Sequence, residues 1–331
     1  MGVAIAVPLF ALALAVTLAA SATFARRLDR LGARYGLSEV SIGLLTAIAA
    51  DSPEVSSALI AMLKGAHDAS VGVIVGSNTF NLAAMVGVSV LLAGSVQVPR
   101  KTLLLEGTVV LAVTAIVIAL LVGWLPASAA VILLACVLTP YLILVIGGYE
   151  LARRLGLRLV AGLVLEPNDP GGDRHHDRHA IGEFTTHKQL TLMLVDLVLI
   201  VGGSLGMVQA ALTLGDRWGV ASALVGALIL GPLTSLPNAL TGLRLGTTGR
   251  AAALVTEAFN SNTINLVAGI AIPSLVVTLT VSSPRNQLDL ALLAAATIAT
   301  VGLLAARRGM RRPGAMTIVA LYAAFVATTL S

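Results

Sequence analysis

From Val3 to Phe24 the chain carries no charged side chain, and long apolar runs of this kind recur to its end. Lipid offers nothing to bond a backbone N–H or C=O. Such runs therefore cross a bilayer as helices of about 20 residues whose hydrogen bonds close internally. Only 11% of the residues are charged and 57% are hydrophobic, with a mean hydropathy of +0.95; a soluble chain carries about 25% charged residues. We read ten spans, at residues 3–23, 38–63, 70–94, 103–123, 127–148, 190–213, 220–245, 251–275, 287–306 and 314–330. The fold class that follows is an all-α polytopic membrane protein with ten transmembrane helices. The first run lacks a basic n-region and is read as a span rather than a cleaved leader. The single cysteine, Cys136, excludes a disulfide within one chain.

A net charge of +5 and a pI of 9.9 would suit a nucleic-acid partner in a soluble protein. Here the basic residues collect in alternate loops, so no nucleic-acid partner is implied. With the N-terminus outside, 18 of the 21 Lys and Arg residues fall in inner loops, and only Lys64, Arg217 and Arg285 remain outside. That bias agrees with the positive-inside rule. It places both termini outside a cell membrane, with the lipid bilayer as solvent. The longest gap, residues 150–189, holds "EPNDPGGDRHHDRH" and is read as a cytoplasmic linker. It separates a first five-helix unit, residues 1–149, from a second, residues 190–331. His175, His176, His179 and His187, with Asp173 and Asp177, have the chemistry to bind a metal or sense pH. The reading preferred is a solvated hinge.

The sequence repeats itself at an offset of 184 residues. Between Pro53 and Ala84, 11 of 32 positions match without gaps, including Pro53/Pro237, Gly65/Gly249, Ser77/Ser261, Asn78/Asn262, Thr79/Thr263 and Asn81/Asn265. Matching Leu and Ala is cheap in this composition, but matching "SNTFN" to "SNTIN" together with a proline is not. Each unit holds an odd number of spans, so the second copy enters from the opposite side. Inverted repeats are the architecture of many secondary transporters, with the substrate near the midplane where broken helices meet. "ADSPE" and "TSLPN" are the expected breaks, because proline removes an N–H and frees the carbonyl four residues back.

Amides and hydroxyls in lipid need a purpose. Ser77 and Asn81, and likewise Ser261 and Asn265, are four apart and share a helix face. Facing the bundle centre, they offer neutral oxygens to a dehydrated cation. Asn78 and Asn262 either join this set or hold helices together. Glu257 lies one turn before Ser261, near the same face, and an acid inside a membrane helix is a functional candidate by default. Asp196 in the sixth span is placed as a gate contact, and Glu106 in the fourth as an interface position.

With these residues in place, the chain resembles the calcium/cation antiporter superfamily, the sodium/calcium exchanger group. That family carries two inverted alpha-repeats, each reading roughly G-T-S-x-P-E and then G-S-N-x-F-N. Here they read "AADSPE…GSNTFN" and "PLTSLPN…NSNTIN". The resemblance covers most of the membrane core and omits the linker. It implies that the first and sixth helices slide across a rigid core, and that an ion cage forms from the second, third, seventh and eighth. Carried over residue by residue, the cage holds Asp51 and Glu54 from the first repeat and Thr234, Ser235 and Asn238 from the second. The departures are that Asn238 replaces the second glutamate, Ala50 and Asp51 replace the hydroxyl pair, and Asn265 stands where an acid is common.

The function these readings imply is secondary active cation antiport by alternating access, of the sodium/calcium type. No cofactor is called for, and the transported ions are Na⁺, Ca²⁺ or H⁺. One alternative is proton coupling: Asp51 and Glu54 are three residues apart, and two close carboxylates repel, so one holds a proton when no cation is bound. Another is an exchanger fold that binds without transporting. An enzyme is disfavoured, since no histidine lies within a span to build H-E-x-x-H or a serine triad.

Overall fold

The computed structural model describes residues 2–34, 47–154, 186–307 and 309–331. The part of the expected second span before residue 47 and residues 155–185 of the linker, with His175, His176 and His179, lie outside them. Among the described residues, the regular structure is helical apart from one short antiparallel pair. We number the helices α1 (Val3–Arg34), α2 (Ser52–Leu63), α3 (His67–Ala93), α4 (Arg100–Leu121), α5 (Ala127–Arg154), α6 (Thr186–Trp218), α7 (Ser222–Thr234), α8 (Leu236–Thr247), α9 (Ala251–Leu266), α10 (Pro284–Arg307) and α11 (Arg312–Leu330). Strands β1 (Ser95–Gln97) and β2 (Gly309–Arg311) pair Val96 with Met310. Among the described residues, seven helices are long and apolar enough to cross a membrane, or eight if α7 and α8 are one bent span. The protein is an integral membrane protein.

Several helices outrun their expected spans. α1 continues to Arg34 and α6 fills Thr186–Trp218, because a helix does not end where its apolar run ends. Its polar last turns continue into the interface, where long basic side chains reach water.

α3 is the centre of the fold. Of its apolar window 83% is buried, against 22% for α1. It lies backbone to backbone with α7: a Cβ on Gly76 would come 2.1 Å from the Ala227 carbonyl oxygen, and one on Gly226 would come 2.3 Å from that of Ala69. Lipid is as apolar as a leucine side chain, so membrane helices associate by close packing, and small residues allow it. Val73, Ile74, Leu230, Leu266 and Ile270 fill one core; Leu82, Met85, Leu254 and Phe259 fill another.

The 184-residue offset reappears in backbone geometry. α2 and α8 end at Gly65 and Gly249, with φ of 76° and 78°. In both turns the next residue bonds back five positions, Ala66 N–H to Ala61 O and Arg250 N–H to Leu245 O, each at 2.9 Å. This is the glycine-terminated helix end, in which the left-handed residue has no Cβ to clash. Beside this core, α1 packs along α6. Arg27 pairs with Asp196, and Thr23 donates to the same carboxylate at 2.8 Å. Asp196, expected as a gate contact, joins these two helices.

Candidate ion site

Residues 47–50 are helical, Asp51 is a turn, and α2 begins at Ser52. Pro53 explains the break, since it has no N–H for the carbonyl of Ala49. That carbonyl is bonded instead by the Ser52 hydroxyl at 2.6 Å and by Ser21 of α1 at 3.1 Å. The second break falls at Ser235, 184 residues on, where α7 and α8 bend by 48°. Asp51 and Ser235 share one conformation, φ −82° with ψ −5° and 0°, in the bridge region that helix breaks and site residues use.

The breaks face each other, and their side chains interlock. Asn238 Nδ2 donates to Asp51 Oδ1 at 2.6 Å and to Glu54 Oε1 at 3.2 Å. Ser235 donates to Glu54 Oε1 at 2.9 Å, and Ser261 of α9 donates to Asp51 Oδ1 at 2.5 Å. Asn81 of α3 donates to Ser261 Oγ at 3.0 Å. Six of the anticipated residues, from four helical segments, therefore meet in one cluster, each at most 1% exposed. The cluster is short of donors. Asp51 Oδ2, Glu54 Oε2 and Asn81 Oδ1 are buried with no hydrogen-bond partner among the described residues. An acceptor left without a donor in low dielectric is costly, and a cation is the partner that satisfies several at once. Carboxylate, amide and hydroxyl oxygens are the donor set of hard cations.

The other four anticipated residues stand apart from this cluster. The Ser77 hydroxyl turns back to Ile74 O at 3.1 Å, and Thr234 bonds the carbonyls of Leu230 and Gly231 in its own helix. Asn265 Nδ2 reaches Asn78 Oδ1 at 3.1 Å, and its own Oδ1 is buried without a partner among the described residues. Glu257 is half-buried and makes no side-chain hydrogen bond among the described residues. Asn78 and Asn262 form a reciprocal pair: each donates its amide to the other's backbone carbonyl, at 3.0 and 3.1 Å. They tie α3 to α9.

Three features escaped the sequence reading. α3 and α9 both pass into a π-helical turn directly behind the site, at Leu82–Val88 and Val267–Ala271; such turns gather at functional sites, but these apolar stretches carry no mark of them. Ser21 covers the freed carbonyl of Ala49, and nothing in an isolated serine of α1 signals its partner. Glu106 is bonded by Tyr141, a contact between α4 and α5 that no local spacing encodes.

The family model for sodium/calcium exchanger proteins matches residues 5–150 and 188–331. The chain belongs to the sodium/calcium exchanger family. The solved sodium-calcium exchanger NCX_Mj, soaked with 10 mM Na⁺ and 10 mM Sr²⁺, shares 18% identity with this family member; the alignment covers 98% of this chain and 99% of that one, with a TM-score of 0.63. An H⁺/Ca²⁺ exchanger, CAX, aligns at 13% identity over 98% of this chain and 86% of that one, with a TM-score of 0.69. At these identities the likeness is one of fold. A putative antiporter, CaxA, of Alkalimonas amylolytica is 38% identical over 86 residues. That match spans 26% of this chain and 27% of the relative's length.

Proposed function

We propose that this chain is a secondary active cation antiporter working by alternating access, with its ion site at the cluster of Asp51, Glu54, Asn81, Ser235, Asn238 and Ser261. The observation that carries the reading is the set of buried acceptor oxygens without donors, on two carboxylates and an amide, where two broken helices meet. Ser77, Thr234, Asn265 and Glu257 belong to a wider shell that lines the approach. The architecture proposed is two inverted five-helix units, residues 1–149 and 190–331, joined by a cytoplasmic linker at 150–189. Both termini lie outside the plasma membrane. Equal offsets support it: Asp51 and Ser235, Gly65 and Gly249, and Asn78 and Asn262 are each 184 residues apart and play matching backbone or pairing roles. The cycle draws on ion gradients and calls for no resident cofactor.

Two carboxylates balance one divalent cation, which fits Ca²⁺ as substrate exchanged for Na⁺. One observation favours a second coupling ion. Asp51 stands at the helix break and makes no capping bond there; its carboxylate accepts from Asn238 and Ser261 instead. With a cation bound both acids ionise, and without one they repel, so at least one holds a proton. Cation binding then releases a proton, which is the elementary step of cation/H⁺ antiport. Flux into liposomes holding the purified protein, screened with Na⁺, K⁺, Ca²⁺, Mg²⁺ and Mn²⁺ under an imposed pH gradient, tests both parts. Cation-driven proton movement supports antiport with H⁺; calcium movement that needs a sodium gradient supports the sodium form. Specific binding without flux of any ion overturns transport.

A further inference from the structure

A second buried polar cluster lies outside the ion cage. Glu106 of α4 and Tyr141 of α5 are 5% and 3% exposed, and Asn260 of α9 is 8% exposed. The Tyr141 hydroxyl oxygen is 3.0 Å from Glu106 Oε2 and 2.6 Å from Asn260 Oδ1. Both neighbours are acceptors, and a tyrosine hydroxyl has one hydrogen. That hydrogen goes to Asn260, at the shorter distance. With the Asn260 amide in this orientation, a second proton lies on the line between Glu106 and Tyr141, and the group able to carry it is the Glu106 carboxyl. We propose that Glu106, Tyr141 and Asn260 form a second proton-binding site, separate from the ion cage, in which Glu106 holds one exchangeable proton.

The sequence makes this site particular to one half of the chain. Asn260 stands where the first repeat has Gly76, and Gly76 is pressed against the Ala227 carbonyl with no room for a side chain. In the second copy that room exists, and the amide that fills it reaches the phenol. The chain Glu106 O–H to Tyr141 O–H to Asn260 Oδ1 satisfies each member. When the proton leaves to water, the phenol keeps its hydrogen and donates it to the Glu106 carboxylate, and Asn260 turns its amide so that Nδ2 donates to the phenol oxygen. Asn260 precedes Ser261, which donates to Asp51. α9 therefore carries the proton site and the ion cage on faces about 100° apart.

Among the described residues, no other ionisable side chain on the elements packed around α4 bonds Glu106. Val301 of α10 packs beside Gly107 and marks the level of the cluster. Asp289 is bonded to Thr329 and lies twelve residues from Val301, about 18 Å along the helix at 1.5 Å per residue, with Arg285 a turn further. Glu257 of α9 lies one turn before Asn260 and Ser261, and Arg250 precedes that helix. Arg100 and Lys101 begin α4, and Arg154 ends α5.

Infrared difference spectra of the purified full-length protein, recorded between acid and alkaline pH, read this proton directly, because a protonated carboxyl has a carbonyl stretch that a carboxylate lacks. The expected result is an acid-form band that persists in the double variant Asp51→Asn, Glu54→Gln and is lost in Glu106→Gln. In Tyr141→Phe the same band shifts to higher frequency as its hydrogen bond disappears. If Glu106→Gln does not fold, the Tyr141→Phe shift decides alone. Loss of every titrating acid band in the Asp51/Glu54 double variant overturns the proposal, as does an unchanged parental spectrum in Glu106→Gln or an unshifted band in Tyr141→Phe. Because the double variant removes the cage acids, failure here is distinct from failure of the transport reading.

Discussion

Glu54→Gln is the sharpest test of the ion site, because the replacement keeps shape and removes charge. Glu54 Oε1 accepts from Ser235 and from Asn238, at 2.9 and 3.2 Å, and a glutamine Oε1 accepts both bonds. The fold should lose no more than the value of one ordinary hydrogen bond, about 1 kcal/mol. Oε2 is one of the buried acceptors without a donor among the described residues, and in the variant an Nε2 with two hydrogens points where a cation would be held. Removing one partner of a buried ionic contact costs about 3–5 kcal/mol. At 1.4 kcal/mol per factor of ten, ion affinity should fall by roughly 100- to 4,000-fold. Calorimetric titration of the purified variant reads the affinity, liposome flux reads transport, and thermal unfolding in detergent reads the fold. A folded variant that binds within tenfold of the parent removes Glu54 from the site and refutes the argument from donor-poor oxygens.

Asn238→Glu places a third carboxyl beside Asp51 and Glu54 and deletes the amide that donates to both. The ion competition profile and the charge moved per cycle should change, and identical values in both proteins would exclude position 238 from the site. Asp51→Ser places a hydroxyl at the break and removes one acid. Proton release on cation binding, followed with a pH dye in weak buffer, should largely vanish while transport turns towards sodium dependence; parental proton release would end the proton-coupled reading. Gly76→Ala drives a methyl to 2.1 Å from a backbone carbonyl that has no rotamer to escape into. Overpacking of this kind costs about 1–3 kcal/mol, so the variant should show reduced yield and a lower unfolding temperature, and an unchanged midpoint would mean that α3 and α7 are not in backbone contact.

What the sequence revealed and what it withheld divide along physical lines. Lipid forces long apolar runs, so apolar membrane helices were visible as such, and proline chemistry located the breaks within "ADSPE" and "TSLPN", where they fall at Asp51 and Ser235. Helix ends were not visible, because the charged turn around Arg26, Arg27 and Arg30 helps α1 leave the bilayer without ending it. The i, i+4 rule correctly put Ser77 and Asn81 on one face, yet only Asn81 reaches Ser261. A serine hydroxyl that turns back on its own helix carbonyl, as Ser77 does, needs no neighbour at all. The two weighings of Asn78 and Asn262 could not be separated from spacing, since the choice depends on which helix lies opposite. The contact of Glu106 with Tyr141 joins residues 35 positions apart on neighbouring helices, and no periodicity reports such a meeting.

The Asn78–Asn262 pair sets the phase of two helices as a key sets a shaft. Both bonds end on main-chain carbonyls, which cannot swing aside as a side chain can. Advancing α3 along α9 by one residue would shift it about 1.5 Å and turn it by about 100°, enough to break both bonds together. No half-engaged setting keeps one of them at full strength. The two helices are therefore either locked or separated, and leaving both side-chain amide N–H groups without an acceptor in a membrane interior makes separation expensive. Any motion that opens the site to one side and then the other has to be taken up by helices hung around this joint.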